Sequence, residues 1–145
     1  MKSNRARSLW TALTATVIVG FAASLIGCAS AGPVTPVVVS DVKSVAGTWK
    51  GIVYRSGVEP DQVVLTIRED GSYDLVSAQP LGSRGRGKMV VSDGRLLIEG
   101  EKGRGVATVL KNPAGDLVMD IEATLSDNST LTAKLWPALS EARRE

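Results

Sequence analysis

Residues 63–75 read VVLTIREDGSYDL, in which two alternating runs of apolar and polar residues flank an Asp-Gly pair. In the first run, Val63, Leu65 and Ile67 fall on one side of an extended chain, with Thr66 on the other. Period-two alternation predicts a β-strand with one buried face and one wet face. Because the Asp-Gly pair supplies the positive backbone angles of a tight hairpin, the stretch predicts two antiparallel strands.

The same pattern recurs along most of the chain. It predicts eight strands, at about 47–55, 62–69, 72–79, 84–91, 95–100, 103–111, 116–124 and 129–136. The connections between them are short, and short connections favour antiparallel neighbours, since a parallel pair needs a long crossover. We therefore expect an all-β fold, a single eight-stranded antiparallel up-and-down barrel that is closed so that no edge strand stays unpaired.

The order of the turns assigns the two ends of this barrel. If the first strand begins at the closed end, both Asp-Gly turns and residues 112–115 lie there too. The opposite rim is then formed by residues 56–61, 79–83, 100–103 and 126–128. Because these connections contain many charged and polar side chains, we expect a polar mouth above an aliphatic interior.

The remaining segments flank the barrel domain, which is expected at residues 42–137. Residues 28–41 hold two prolines and no charge before Asp41, and they predict a flexible linker. A strand at residues 37–39, added to a sheet edge, is the alternative for part of this segment. Residues 138–145 predict a polar C-terminal tail.

Residues 1–27 have the three parts of an export signal. Lys2, Arg5 and Arg7 form a basic start, an apolar run covers residues 9–26, and small residues follow. The run is also close to the roughly 20 residues that a membrane-spanning helix needs, so an uncleaved anchor is the alternative. Both interpretations place the basic end in the cytoplasm and the remaining domain outside it.

Leu25, Ile26, Gly27 and Cys28 close the apolar run with the only cysteine of the chain. These four residues resemble the lipobox of bacterial lipoproteins. The resemblance implies signal-peptide cleavage between Gly27 and Cys28 and a lipid on the Cys28 sulfur, which anchors the protein to a membrane. Ala29, in place of aspartate, favours a location in the cell envelope at the outer membrane, facing the periplasm.

Gly47-Thr48-Trp49 begins the first predicted strand after a short helical lead-in. With eight predicted strands in an exported chain, this G-x-W motif resembles lipocalins and related small barrels. The resemblance implies that Trp49 plugs the closed end. It assigns barrel closure to Gly47, Trp49 and Lys134, the last as counterpart of a basic residue that covers the tryptophan. The chain is shorter than a typical lipocalin.

Charge and composition exclude several classes of function. The whole chain has a formal net charge of +2, but residues 1–27 hold three basic and no acidic side chains, so their removal leaves −1. Nucleic acid is therefore not an expected partner, because its phosphates need an excess of basic residues. There is no histidine, a single cysteine and no G-x-S-x-G motif, so we expect no metal, no cofactor and no enzyme activity.

Arg84, Arg86 and Lys88 alternate along the fourth predicted strand, with Arg104 nearby, and form a candidate mouth or basic face. The stretch nearly matches a phosphate-binding loop, but Met89 replaces the hydroxyl residue that holds magnesium, and a strand follows where a helix is needed. A one-residue choice of register decides whether the cations line the lumen or the outer wall. We favour Met89 inward and the cations outside. The opposite register would suit an anionic ligand.

Two functions fit these observations. The first is a binding module, in which a lipid-anchored barrel holds a small apolar or amphipathic molecule. The alternative is a non-enzymatic interaction or structural module of the cell envelope, with a filled barrel and an envelope protein as its partner. Since an eight-stranded interior is either filled by side chains or holds one small ligand, the volume of the lumen distinguishes the two.

Overall fold

The structure, a computed structural model, describes residues 32–79, 82 and 84–138. The predicted signal peptide, Cys28 and residues 139–145 of the predicted tail lie outside the described residues. Within the described ranges, no helix has the length and apolar character needed to cross a membrane.

Nine antiparallel strands and one turn of 3-10 helix, Val42–Val45, form the described part of the chain. The strands are β1 Thr35–Val37, β2 Gly47–Arg55, β3 Val58–Ile67, β4 Ser72–Ser77, β5 Arg84–Ser92, β6 Arg95–Gly100, β7 Gly103–Lys111, β8 Leu117–Leu125 and β9 Thr130–Pro137. Each strand from β2 to β9 pairs with the next, and β9 pairs with β2, so the sheet closes. The predicted eight-stranded up-and-down barrel is confirmed.

Alternation along the strands places one row of side chains inside the barrel. Six large aliphatic or thioether side chains of this row are almost fully buried: Leu65, Ile67, Met89, Leu96, Met119 and Leu135. Each such side chain stabilises the fold by about 1.5–3 kcal/mol through removal of apolar surface from water. Ile67, Leu96 and Leu135 lie near the strand ends that meet at the closed end, so this half of the interior is packed.

The turns at the closed end follow the Asp-Gly signals. Asp93 and Gly94 have φ values of 49° and 75°, both in the left-handed region that a two-residue type I′ turn uses. Gly71 has a φ of 86°. The observed connections place the closed end and the mouth where the sequence predicts them.

The first hairpin at the mouth is tighter than predicted. A loop was expected at residues 56–61, but Ser56 and Gly57 alone form the turn, and β3 begins at Val58. Pro60 interrupts the apolar–polar alternation at the start of β3, so the sequence pattern does not show this part of the strand. Proline also has no amide hydrogen to donate to a neighbouring strand. The pairing of β2 with β3 is irregular opposite it, as expected for proline in a sheet.

The flexible linker predicted for residues 28–41 is wrong over its second half. β1 pairs with the last residues of β7. Because β6 pairs with β7 only as far as Ala107, these residues would otherwise present unpaired backbone groups. Val39 is 2% exposed and donates its amide hydrogen to the carbonyl of Gly94 at 2.9 Å, whereas Val38 is 80% exposed. The observed strand lies close to the added edge strand that was the alternative.

Candidate functional site

Trp49 lies at the closed end of the barrel. Its side chain is buried, and the indole N–H donates to the carbonyl of Val45 at 2.9 Å. Val45 ends the 3-10 turn, whose first residues are capped by the Asp41 carboxylate accepting from the Lys43 amide. Gly47, with a φ of 129°, leads into β2. The two fixed residues of the G-x-W motif therefore lie together at this end.

Lys134 does not join them. It lies on the outer wall, where its Nζ is 3.8 Å from Oδ1 of Asp120. Its chain neighbours Ala133 and Leu135 are buried in the interior, and adjacent residues of a strand face opposite sides. The expectation that Lys134 covers Trp49 is wrong, because the pleat of β9 turns this side chain away from the lumen.

The register of β5 decides the position of the predicted basic face. Met89 is buried inside the barrel, whereas Val90 is 48% exposed. Arg84, Arg86 and Lys88 share the outward face with Val90, and all three are exposed. The favoured register is therefore the observed one, and the lumenal alternative for these cations is excluded.

The predicted basic residues do not all lie at the mouth. Arg84, Arg86 and Arg104 border the mouth, and Arg104 pairs across the sheet with Glu99 on the outer wall. Lys88 lies further towards the closed end, opposite Ser72. Three of the four cations are thus brought together around the rim.

The interior is open on the mouth side of its packed half. A cavity of about 130 Å³, which we call the mouth cavity, reaches from the barrel core to the rim. Its lining is mainly apolar and includes Leu65, Leu75, Met89, Ile98, Ile121 and Leu131. The lumen is therefore neither completely filled nor a large ligand chamber.

Small residues create this space. Gly85 faces the lumen, and an added Cβ there would meet only Leu75, at 3.9 Å. Gly87 also faces the lumen, but an added Cβ would strike the backbone carbonyl of Glu99. Gly87 therefore serves the close approach of two strands, whereas Gly85 leaves volume to the cavity.

Tyr73 brings a hydroxyl group into this apolar lining. Its ring is buried and lines the cavity, and the hydroxyl lies where a side chain on Gly100 would otherwise be. Burial raises the pKa of Tyr73, and the charge of Glu101 raises it further. The phenol therefore keeps its proton at neutral pH and is available as a hydrogen-bond donor.

Arg55 ends β2 at the rim of the mouth cavity. It pairs across the sheet with Leu131 and shares the inner face of the strand with Trp49 and Val53. Its Nε–H is buried without a hydrogen-bond partner among the described residues. Nη2 lies 3.5 Å from Oδ2 of Asp127, longer than a hydrogen bond of about 2.7–3.2 Å. The rim thus contains a buried donor with an unmet hydrogen bond.

The charges around the mouth nearly balance, because Glu99, the cross-strand partner of Arg104, adds to the other carboxylates near the rim. The cations that border the mouth cavity are Arg55, Arg84, Arg86, Lys102 and Arg104. Besides Arg104, two of them have acidic neighbours, because Glu101 lies 3.5 Å from Arg86 and Asp127 lies 3.5 Å from Arg55. A polar groove beside Arg55 adds two further carboxylates, Glu59 and Asp61.

The Asp61 carboxylate in this groove already has a donor. Ser77 Oγ donates to Asp61 Oδ1 at 2.7 Å and accepts from the Gln79 amide at 3.0 Å. These bonds tie the end of β4 to β3, so Asp61 stabilises the rim.

Arg55 and Tyr73 were not among the predicted site residues. Arg55 occupies the inward position that follows Trp49, Gly51 and Val53, so the alternation of β2 contained a signal for it. Tyr73 alternates with Leu75 in the same way. Neither pattern predicts that a cavity separates these side chains, since that depends on glycines in other strands.

Among the residues that the structure describes, no group of three or more His, Cys, Asp and Glu side chains is placed to hold a metal ion. Comparisons of the chain with protein-family models, with curated proteins and with solved structures find no match.

Proposed function

We propose that this protein is a binding module that holds one small apolar or amphipathic molecule in the mouth cavity. The observation that carries the proposal is the cavity itself, about 130 Å³ of apolar space that opens at the rim. The packed closed half of the barrel also favours the proposal, because Trp49 and its neighbours form the inner end of the cavity. The proposal includes a non-enzymatic role, as the sequence suggests.

The volume of the mouth cavity limits the size of the ligand. A dry apolar cavity of about 150 Å³ in another protein holds benzene, whereas drug-sized ligands occupy about 300–1,000 Å³. About 130 Å³ therefore suits a ring or a chain of roughly six carbon atoms. A longer molecule would extend through the mouth into the polar rim, which is the arrangement that an amphipathic ligand requires.

We further propose that the barrel is held at the membrane of the cell envelope by a lipid on Cys28. The sequence features of residues 1–28 support this proposal, and two acyl chains or more are enough for stable anchoring. Cys28→Ser should move the protein from the membrane to the soluble fraction while the barrel still folds, as judged by fractionation and circular dichroism. Retention of the variant after a carbonate wash would instead indicate an uncleaved helix.

Native mass spectrometry of the barrel purified from its own cells tests the binding function. The expected result is a bound mass of a few hundred daltons or less that disappears in Gly85→Leu, a variant that fills the cavity. A barrel that is empty under all conditions, and that takes up no small amphiphile, would contradict the proposal.

A second candidate is an interaction module of the envelope, and one observation favours it. Arg84, Arg86 and Lys88 form an exposed row on the outer wall rather than in the lumen. Such a row suits an acidic partner surface. If this second function is the true one, Gly85→Leu should keep the full cellular function of the protein, because it leaves the outer wall unchanged. The binding proposal instead requires that Gly85→Leu lose that function.

A further inference from the structure

The Arg55 guanidinium lies between two different environments. On one side is the apolar mouth cavity, and on the other is the polar groove that contains Glu59 and Asp61. The side chain is 32% exposed, so it is neither a free surface charge nor a fully buried one. A ligand that filled the cavity and extended towards the rim would pass this group.

The hydrogen bonds of Arg55 are incomplete. A guanidinium has five N–H donors, and a buried donor without an acceptor costs free energy. Asp127 neighbours Nη2 at 3.5 Å but does not satisfy Nε. Hydrogen bonds from the hydroxyl and amide of Ser129, together with the weaker effect of Arg55, lower the pKa of Asp127. Both Ser129 bonds go to Oδ1, while Oδ2 faces Nη2, so Nε still lacks an acceptor among the described residues.

We infer that the ligand of the mouth cavity is an anionic amphiphile, whose carboxylate or phosphate head accepts a hydrogen bond from Arg55 Nε and whose first roughly six carbon atoms fill the cavity. This inference rests on the proposed function and names its ligand class. A guanidinium fits both head groups, because its planar donors match their paired oxygens. A charged head forms a stronger hydrogen bond with the guanidinium than a neutral head does, which favours an anion over an alcohol.

The other cations of the rim have a lesser role. Arg84, Arg86 and Arg104 extend from the outer wall into solvent, where charges are screened. Lys88 is exposed on the same outer wall but lies further towards the closed end, outside the lining of the mouth cavity. Arg55 is thus the specificity-determining residue, and Lys88 is a matched control for an exposed charge away from the cavity.

Calorimetric titration with sodium octanoate, octyl phosphate and 1-octanol tests the inference. The chain used begins at residue 28 with Cys28→Ser and therefore contains all of the described residues. The better of the two anions should bind about 10- to 100-fold more tightly than octanol, the gain typical of a charged hydrogen bond. The stronger anion identifies the head group as carboxylate or phosphate.

Three variants test which residue is responsible for the preference for an anion. Arg55→Met should weaken binding of the preferred anion by about 10- to 100-fold and weaken octanol less, because octanol loses no charge pairing. Lys88→Met should weaken it by less than about fivefold, as expected for an exposed charge outside the cavity lining. Gly85→Leu should abolish binding of all three compounds. Thermal melts followed by circular dichroism establish that each variant is folded before its affinity is interpreted.

The contrary results separate this inference from the function on which it rests. If octanol binds as tightly as both anions, or if Arg55→Met and Lys88→Met weaken the anion equally, the assignment of the head group to Arg55 is wrong while a binding function stands. If none of the three compounds binds the unaltered chain, or if Gly85→Leu binds them normally, the binding function and the inference both fail.

Discussion

Replacing Gly85 by leucine should stabilise the barrel and close the mouth cavity. Filling about 130 Å³ at about 24 cal/mol per Å³ gives an upper limit of about 3 kcal/mol. Burial of a leucine side chain contributes about 1.5–3 kcal/mol, and removal of glycine from a strand about 0.5–1 kcal/mol. Since the cavity sets the limit, we expect a gain of about 2–3 kcal/mol in the free energy of unfolding.

Chemical denaturation measures this gain, and for a domain of about 100 residues it corresponds to a rise in Tm of about 10–20 °C. Gly87→Leu is the matched control, because it lies on the same face of the same strand but would strike the Glu99 carbonyl. It should destabilise the barrel. If Gly85→Leu destabilises the protein as much as Gly87→Leu does, the space beside Gly85 does not exist and the reasoning from the cavity is refuted.

Two further predictions concern the closed end and the lining. Val39→Ala should lower the free energy of unfolding by about 2 kcal/mol, whereas Val38→Ala should change it by less than about 0.5 kcal/mol. Equal effects would mean that Val39, which follows β1, is not buried against the barrel. Because burial raises the pKa of folded Tyr73, the unfolded chain loses this proton first, so stability is complete below pH about 10 and falls as the pH rises through the folded pKa. Tyr73→Phe should reduce the loss of unfolding free energy at alkaline pH, as measured by denaturation curves, and Tyr54→Phe should not. If Tyr73→Phe leaves the pH dependence of stability unchanged, the burial of this phenol is contradicted.

The strands that the sequence predicts well are those in which a buried face and a tight turn occur together. The alternation from Val63 to Ile67, followed by Asp70-Gly71, defines a hairpin from local residues alone, because side-chain period and turn geometry agree. β1 could not be predicted in this way. Its pairing depends on β7, which continues beyond the end of β6 and lies some 70 residues away in the chain.

The candidate site was predictable only in outline. The inward aliphatic faces follow from alternation, and the outward position of Arg84 follows from the register that buries Met89. The cavity does not follow, because its volume depends on Gly85 lying opposite Leu75 in the neighbouring strand, with no other atom within 4 Å of the space that a Cβ would fill. The unmet hydrogen bond of Arg55 is equally non-local, since it depends on the distance to Asp127.

A crystal structure of the barrel soaked with octanoate tests the central claim most directly. The account predicts electron density for the alkyl chain between Leu65, Met89 and Ile121, with a carboxylate oxygen about 3 Å from Arg55 Nε. A lumen closed by repacked side chains, or octanoate found only on the outer wall, would contradict it.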